Sequence, residues 1–297
     1  MADREYVIVT DSTADMPKKY YEKHKIRVLG MPYSMDGKEY LELSGTDLDL
    51  KTFYTAVSNG SLPKTAQIPY DHIVALFEEI VKDGKDIFFL GFSSELSGSY
   101  NTGVTVAEEI SEKYPEARIR TVDSISASTG EGFVLYNCVT LRDKGMGLDE
   151  LPEYAEMIKK KTVHLFTVND LGHLHRGGRL SKMSAVMGTL LGVKPILYFN
   201  EKGQLLPYSK ARGKKAALTA MAQEMVKTCI PEENEEIFIS AGEAREDCEF
   251  LGELIKSLIP QVKKVHYGNI GAVIGSHVGQ GTVALFYIAK DRTIVPV

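Results

Sequence analysis

The stretch Ile87-Phe88-Phe89-Leu90-Gly91-Phe92-Ser93-Ser94-Glu95-Leu96-Ser97-Gly98-Ser99-Tyr100 decides the fold. Four consecutive apolar residues bounded by turn residues read as a strand buried on both faces of a parallel sheet. A hydroxyl-rich loop follows, and then a helical pattern over Tyr100–Tyr114. The same grammar recurs on either side. Tyr6-Val7-Ile8-Val9-Thr10 ends in Asp11-Ser12-Thr13, and Ile119-Arg120-Thr121-Val122 ends in Asp123-Ser124. Helical patterns at Ile73–Lys82 and at Gly132–Lys144, closed by Gly145, complete the alternation. Alternating β and α units predict an α/β layered domain with a mainly parallel sheet. In such sheets ligands bind at the carboxyl ends of strands, against helix N-termini with free N–H groups. The search for a site therefore starts at these hydroxyl-bearing strand ends.

Working outward, the second half reads as mixed α/β. Strands are expected at Val163–Val168, Ile237–Ser240, Val273–Ile274 and Val283–Ala289, with a hairpin of Pro195–Phe199 and Gln204–Tyr208 around Glu201-Lys202-Gly203. Helices are expected at Leu151–Lys160, Ser181–Leu191, Lys214–Thr228 and Ala244–Leu258, the last stopped by Pro260. The predicted division is 1–158, an N-terminal α/β domain with the hydroxyl loops, and 159–297, a C-terminal α/β domain with a basic segment.

At 297 residues the chain can bury a large core without staples. Its composition, 43% hydrophobic and 25% charged, excludes a disordered tail or a coiled coil. No apolar run is long enough for a membrane span. Three scattered cysteines (Cys138, Cys229, Cys248) fit neither a disulfide framework nor a zinc site. With Met1-Ala2-Asp3-Arg4-Glu5 running into a strand, no export signal and a cytoplasmic location are expected.

A net charge of −5 disfavours nucleic acid as a partner. The distribution is uneven. Residues 1–150 carry 16 basic against 25 acidic side chains, whereas 159–215 carry 12 basic residues against Asp170 and Glu201 alone.

Catalytic motifs are absent. There is no phosphate-binding G-x-x-x-x-G-K-[ST] and no G-x-G-x-x-G. The G-x-S-x-G elbow fails because Gly91-Phe92-Ser93-Ser94-Glu95 lacks its second glycine. His173-Leu174-His175 has no third metal ligand and the wrong spacing for one helix face. What remains is hydroxyl-rich. Ser97 and Gly98 sit where a strand meets a helix, as an anion cradle or as helix caps. Thr65 lies in Pro63-Lys64-Thr65-Ala66-Gln67-Ile68-Pro69, in a cap-like position. His277 is flanked by Gly275 and Gly279, and Arg176-Gly177-Gly178-Arg179 puts two guanidinium groups on a loop.

These motifs in this order resemble one family. They are Val9-Thr10-Asp11-Ser12, Thr65-Ala66-Gln67, Ser93-Ser94-Glu95-Leu96-Ser97-Gly98-Ser99-Tyr100, Val122-Asp123-Ser124, Arg176-Gly177-Gly178-Arg179 with Leu180-Ser181, Val193-Lys194-Pro195-Ile196-Leu197, and Gly275-Ser276-His277-Val278-Gly279. The chain is similar to the DegV family of bacterial fatty-acid-binding proteins from about residue 6 to 289. It departs at Ala66, where the family has serine, and at Gln280, where it has proline.

The resemblance implies two α/β domains with a long-chain fatty acid buried between them. Thr65, Ser97, Gly98 and His277 would hold its carboxylate, and Arg179 and Arg212 would contact a partner. It implies no catalytic residue, metal or cofactor. The partner would be a dihydroxyacetone-kinase-like fatty acid kinase subunit, which phosphorylates the presented carboxylate with ATP for phospholipid synthesis, with at most transient contact with a membrane surface. The energetics are compatible, because about 15 buried methylenes at ~0.8 kcal/mol each supply ~12 kcal/mol before binding costs. Two other readings stay open: a stand-alone enzyme on a small carboxylate or phosphate compound with His277 as acid/base, and a regulatory protein that senses a lipid.

Overall fold

Residues Asp86–Gly91 are buried at all six positions, and a strand with no solvent face needs a layer on each side. The computed structural model shows where those layers come from. It describes residues 4–43, 47–179 and 192–293; the helix expected at Ser181–Leu191 and the Leu180-Ser181 pair lie outside the described residues.

The first part of the chain forms β1 (Tyr6–Asp11), α1 (Lys18–Lys23), β2 (Arg27–Leu29), β3 (Pro32–Met35), β4 (Lys38–Leu41) and α2 (Leu50–Ser58). Then come β5 (Lys64–Thr65), α3 (Tyr70–Lys82), β6 (Asp86–Gly91), α4 (Ser99–Lys113), β7 (Ile119–Asp123), α5 (Thr129–Arg142) and α6 (Leu151–Lys161). The remainder forms β8 (Thr162–Thr167), α7 (Gly172–Arg176), β9 (Val193–Phe199), β10 (Leu205–Arg212), α8 (Lys214–Thr228) and β11 (Glu236–Ala241). It ends with α9 (Arg245–Leu258), β12 (Lys264–Asn269), α10 (Ala272–Val278) and β13 (Val283–Ile288).

The first sheet is parallel in the order β2-β1-β6-β7, with Ile8 opposite Phe88 and Leu90 opposite Val122. The chain leaves β1 for β2 on one side and returns to β6 on the other. The sheet therefore has its switch point between β1 and β6, and a crevice opens at their carboxyl ends. Asp11 ties that point together. One carboxylate oxygen accepts the Thr13 N–H at 3.0 Å, and the other accepts the Phe92 N–H at 2.9 Å.

The second sheet has six strands in the order β10-β9-β8-β13-β11-β12, all neighbours antiparallel except β11 and β12. Strand alternation gives it two apolar faces. Val163, Leu165, Leu285 and Tyr287 pack under α8 and α9 in a core of their own. Phe166, Phe199, Ala284 and Phe286 face the other way and join the core of the first half.

The strands and helices expected in the first half are present to within three residues at their ends, and Lys214–Thr228 has the predicted bounds. The 158/159 division falls inside α6, which runs directly into β8. Three features differ from expectation. Val273–Ile274 is not a strand but part of helix α10; a short apolar run has no decisive period, and distant contacts arbitrate. The small antiparallel sheet β4-β3-β5 is too short for periodicity to reveal, β5 having only two residues. Strand β12 carries no apolar run.

Candidate functional site

A cavity of about 210 Å³ lies between the two halves. Its polar end is assembled from four separate segments. The small sheet supplies Thr65 through the Tyr33–Thr65 pairing. The loop after β6 supplies Ser97 and Gly98, the last turn of α10 supplies His277, and the loop after α7 supplies Arg179. Beyond them the wall is apolar, with Phe166, Phe199 and Phe286 from the six-stranded sheet and Ile274 and Val278 from α10.

Thr65 and His277, 212 residues apart, meet through a Thr65 Oγ1 to His277 Nε2 contact of 2.8 Å. The other ring nitrogen, Nδ1, is buried without a partner among the described residues. It packs on Gly177, where any Cβ would overlap it. Burial first, then the nearby Arg179 charge and His173, push the His277 pKa down to about 4, so the ring is neutral at pH 7.

Ser97 Oγ lies 3.0 Å from Ser99 Oγ and accepts the Ser99 N–H at 3.3 Å, at the start of α4. Ser99 Oγ in turn accepts the N–H of Ile68, just ahead of α3. The serine run thus joins the Thr65 segment to the Ser97 loop at the start of α4. Gly98 is exposed, and a side chain there would meet the Gln67 amide oxygen.

Thr65, Ser97, Gly98 and His277 all line one cavity. The two arginines part company. Arg179 also lines it and is half-buried; its Nε and Nη2 donate to the Leu96 carbonyl at 3.1 and 3.0 Å, and Nη1 donates to the Gly177 carbonyl. It therefore clamps the Ser97 loop against the second half. Arg212 is exposed at the end of β10, away from the cavity, and its side chain makes no hydrogen bond or ion pair with a described residue.

The structure adds residues that local sequence does not single out. Gln67 and Ser128 line the cavity. Ser128 has φ 53° and ψ −151°, a conformation costly for any residue but glycine, and its hydroxyl donates to Asp15 at 2.5 Å. The motif Thr65-Ala66-Gln67 was the only available signal for Gln67; Ser128 had none. Among the described residues no group of three or more His, Cys, Asp or Glu is arranged to hold a metal, and no helix is long and apolar enough to cross a membrane.

This is an α/β protein with a largely apolar cavity between its two halves, polar at one end. The sequence matches the family described as "Uncharacterised protein, DegV family" over residues 5–290, and the chain belongs to the DegV family. It is 40% identical to a DegV domain-containing protein of Clostridium perfringens, covering 97% of this chain and 99% of that one. The solved structure of DegV from Bacillus subtilis, a fatty acid binding protein, is 28% identical with a TM-score of 0.83, covering 97% of this chain and 100% of that one. A DegV family protein from Thermus thermophilus, solved for its fatty acid binding, is 26% identical with a TM-score of 0.85, covering 96% of this chain and 99% of that one.

Proposed function

We propose that the chain binds one long-chain fatty acid between its halves, 1–158 and 159–297, and presents the carboxylate to a separate ATP-dependent kinase subunit. The carrying observation is the polarity of the cavity: aromatic and aliphatic side chains along its wall, with Thr65, Ser97 and His277 gathered at one end. The fatty acid binding described for the Bacillus and Thermus relatives supports the same reading.

The hydrogen-bond logic is specific. A carboxylate only accepts. With the proton on His277 Nε2, the ring donates to Thr65 Oγ1, and the Thr65 proton is left to donate to the ligand. This tautomer puts a lone pair, not an N–H, on the unpartnered Nδ1 near Arg179. The Ser97 hydroxyl adds a second donor. A buried carboxylate without such donors would be costly.

In this reading the chain itself catalyses nothing. ATP and the phosphoryl-transfer machinery reside in the partner, a dihydroxyacetone-kinase-like subunit, and the acyl-phosphate serves phospholipid synthesis in the cytoplasm. Arg212, exposed within the basic segment, meets that partner, and Arg179 contributes through the loop it holds.

Mass spectrometry of the denatured protein tests the ligand; a co-purified long-chain acid is expected. Mixing the loaded protein with ATP and the kinase tests the partner. Ser97→Ala is expected to cost ~1.5–3 kcal/mol in affinity or in acyl-phosphate formation, the range for a hydroxyl donor to a charged acceptor. Unchanged values for both would sink the head-group assignment.

A further inference from the structure

At the N-terminal end of α10, beside the cavity-lining Ser128, lies a second arrangement that contact with a fatty acid does not explain. Asp11 and Asp15 at the end of β1, Glu42 after β4 and Glu131 of α5 converge from three segments, and none is ion-paired with a described residue. Asp11 and Glu131 share the single proton of Thr13 Oγ1, at 2.5 and 3.1 Å. Asp15 and Glu42 share something else: a Cβ on Gly271 would overlap both Asp15 Oδ1 and Glu42 Oε1. Both carboxyl groups thus lie against the same backbone residue, the one just ahead of α10.

We propose that Asp15 and Glu42 are positioning residues that hold one proton between them, and that this protonated pair fixes α10, with His277 and one wall of the cavity, against the first half. The proposal rests on the fatty-acid reading for its consequence, not for its geometry.

Glu42 Oε1 accepts the Val273 N–H at 3.2 Å in the first turn of α10. Its Oε2 is buried with no partner, and Glu42 is only 5% exposed. A buried carboxylate with an unpartnered oxygen costs more than the neutral acid in the same place, because the charge is then buried as well. Asp15, for its part, takes the Ser128 hydroxyl, which holds the strained Ser128 backbone at the cavity wall. Both residues thus reach the cavity through backbone they restrain.

The surroundings offer no compensating cation among the described residues. From β1 comes Asp11, from α5 Glu131, and from the loop ahead of α2 Asp47. Tyr21 of α1, Tyr33 of β3, Tyr54 of α2 and the more distant Glu243 complete the neighbourhood. Every one is acidic or neutral. Burial raises Glu42 to about 7, against the opposing pull of hydrogen bonds from Val273, Ser12 and Ala272; burial and then the Glu42 charge raise Asp15 well above the usual carboxylate range, against hydrogen bonds from Ser128 and Gly271.

The sign follows by linkage. Between the unfolded value near 4.5 and the folded value near 7, the native state keeps a proton that the unfolded state has lost. Stability conferred by the pair is therefore full at low pH and is lost as pH rises through the folded value.

Thermal unfolding of the lipid-free protein, fatty-acid affinity and the infrared carboxyl region are measured from about pH 5 to pH 9 for wild type, Glu42→Gln, Glu42→Ala and Asp15→Asn. Wild type is expected to lose affinity about tenfold across this range, with a carboxylic C=O band persisting above the pH at which ordinary carboxyls ionise. Glu42→Gln mimics the protonated acid, so it should flatten both pH profiles and remove part of that band. Glu42→Ala should bind weakly at every pH. Equal behaviour of the Gln and Ala variants, or a wild-type spectrum with no persistent carboxylic band, overturns the shared proton. Should Glu42→Gln fail to fold, Asp15→Asn and the wild-type spectrum still decide the matter. Absence of lipid binding by wild type at any pH would instead sink the fatty-acid reading, leaving the unfolding profiles and the infrared band to judge the pair.

Discussion

The two walls of the cavity differ in how much of each is polar and in which elements carry the polar groups. The wall from the first half sets polar groups, Thr65 of β5 with Gln67, Ser97 and Ser128 from loops, among the apolar Met31, Phe92, Leu96 and Ala127. The wall from the second half is largely a sheet face and a helix, with Phe166, Phe199, Ala284, Phe286 and Ile274; Arg179, His277 and Thr282 are its polar members. Loops past the ends of parallel strands carry uncommitted polar groups, so they suit a head group. A sheet face has its backbone polar groups already paired, so it suits a hydrocarbon chain. The site exists only where the two meet, at Thr65–His277.

The apolar wall should break most severely. Ala284→Phe projects a ring into the cavity from β13 and takes the space of several methylenes; three or four of them at ~0.8 kcal/mol correspond to roughly a hundredfold loss of affinity. The overpacking cost to the fold is ~1–3 kcal/mol. Co-purified lipid and a binding titration are the readouts, and undiminished lipid content would place the acyl chain elsewhere.

At the seam between the walls, two glycines separate packing from chemistry. Gly177→Ala must displace the rigid His277 ring and so break its contact with Thr65, for ~2 kcal/mol or about thirtyfold in affinity. Gly98→Ala meets only the amide end of Gln67, which can swing aside, and Gly98 has an ordinary φ of −70°. Its effect should be within a fewfold. Equal losses for the two variants would show that the loop, not the imidazole, governs the head group.

The arginines sharpen the comparison further. Arg179→Ala frees the Leu96 carbonyl and loosens the Ser97 loop; loss of lipid by about fivefold is expected, from ~1 kcal/mol of hydrogen bonding. Arg212→Ala should leave lipid content intact and weaken only the salt-sensitive encounter with the kinase. If instead Arg212→Ala empties the cavity, the exposed basic segment belongs to the ligand and not to the partner.

The smallest effect is electrostatic. Without lipid, His277 titrates near 4 rather than 6.5, so its contribution to stability is present above 6.5 and is lost as pH falls toward 4. A carboxylate beside the ring favours the imidazolium, so lipid should raise that value. Imidazole NMR shifts followed with and without fatty acid read it directly; identical titrations would mean that the ring does not face the head group.

The parallel sheet and its hydroxyl loops were legible because their signals are local. Ile87–Leu90 is a short apolar run, and the serines follow it in the chain; the bounds of helix Lys214–Thr228 were also read correctly. The ordered motifs marked Thr65, Ser97, Gly98 and His277, and the fold brings them to one cavity.

What only tertiary structure decided depends on groups far apart in the chain. Val273–Ile274 became helical with its first turn bonded to Glu42, 231 residues away. Arg179 turned inward because its guanidinium found the Leu96 carbonyl, 83 residues away. The convergence of Asp15 and Glu42 on Gly271 left no local trace at all. Periodicity and turn chemistry report which face of an element is apolar and where it stops. They do not report which distant donor or acceptor satisfies a buried polar group, and those pairings set the head-group end of this cavity.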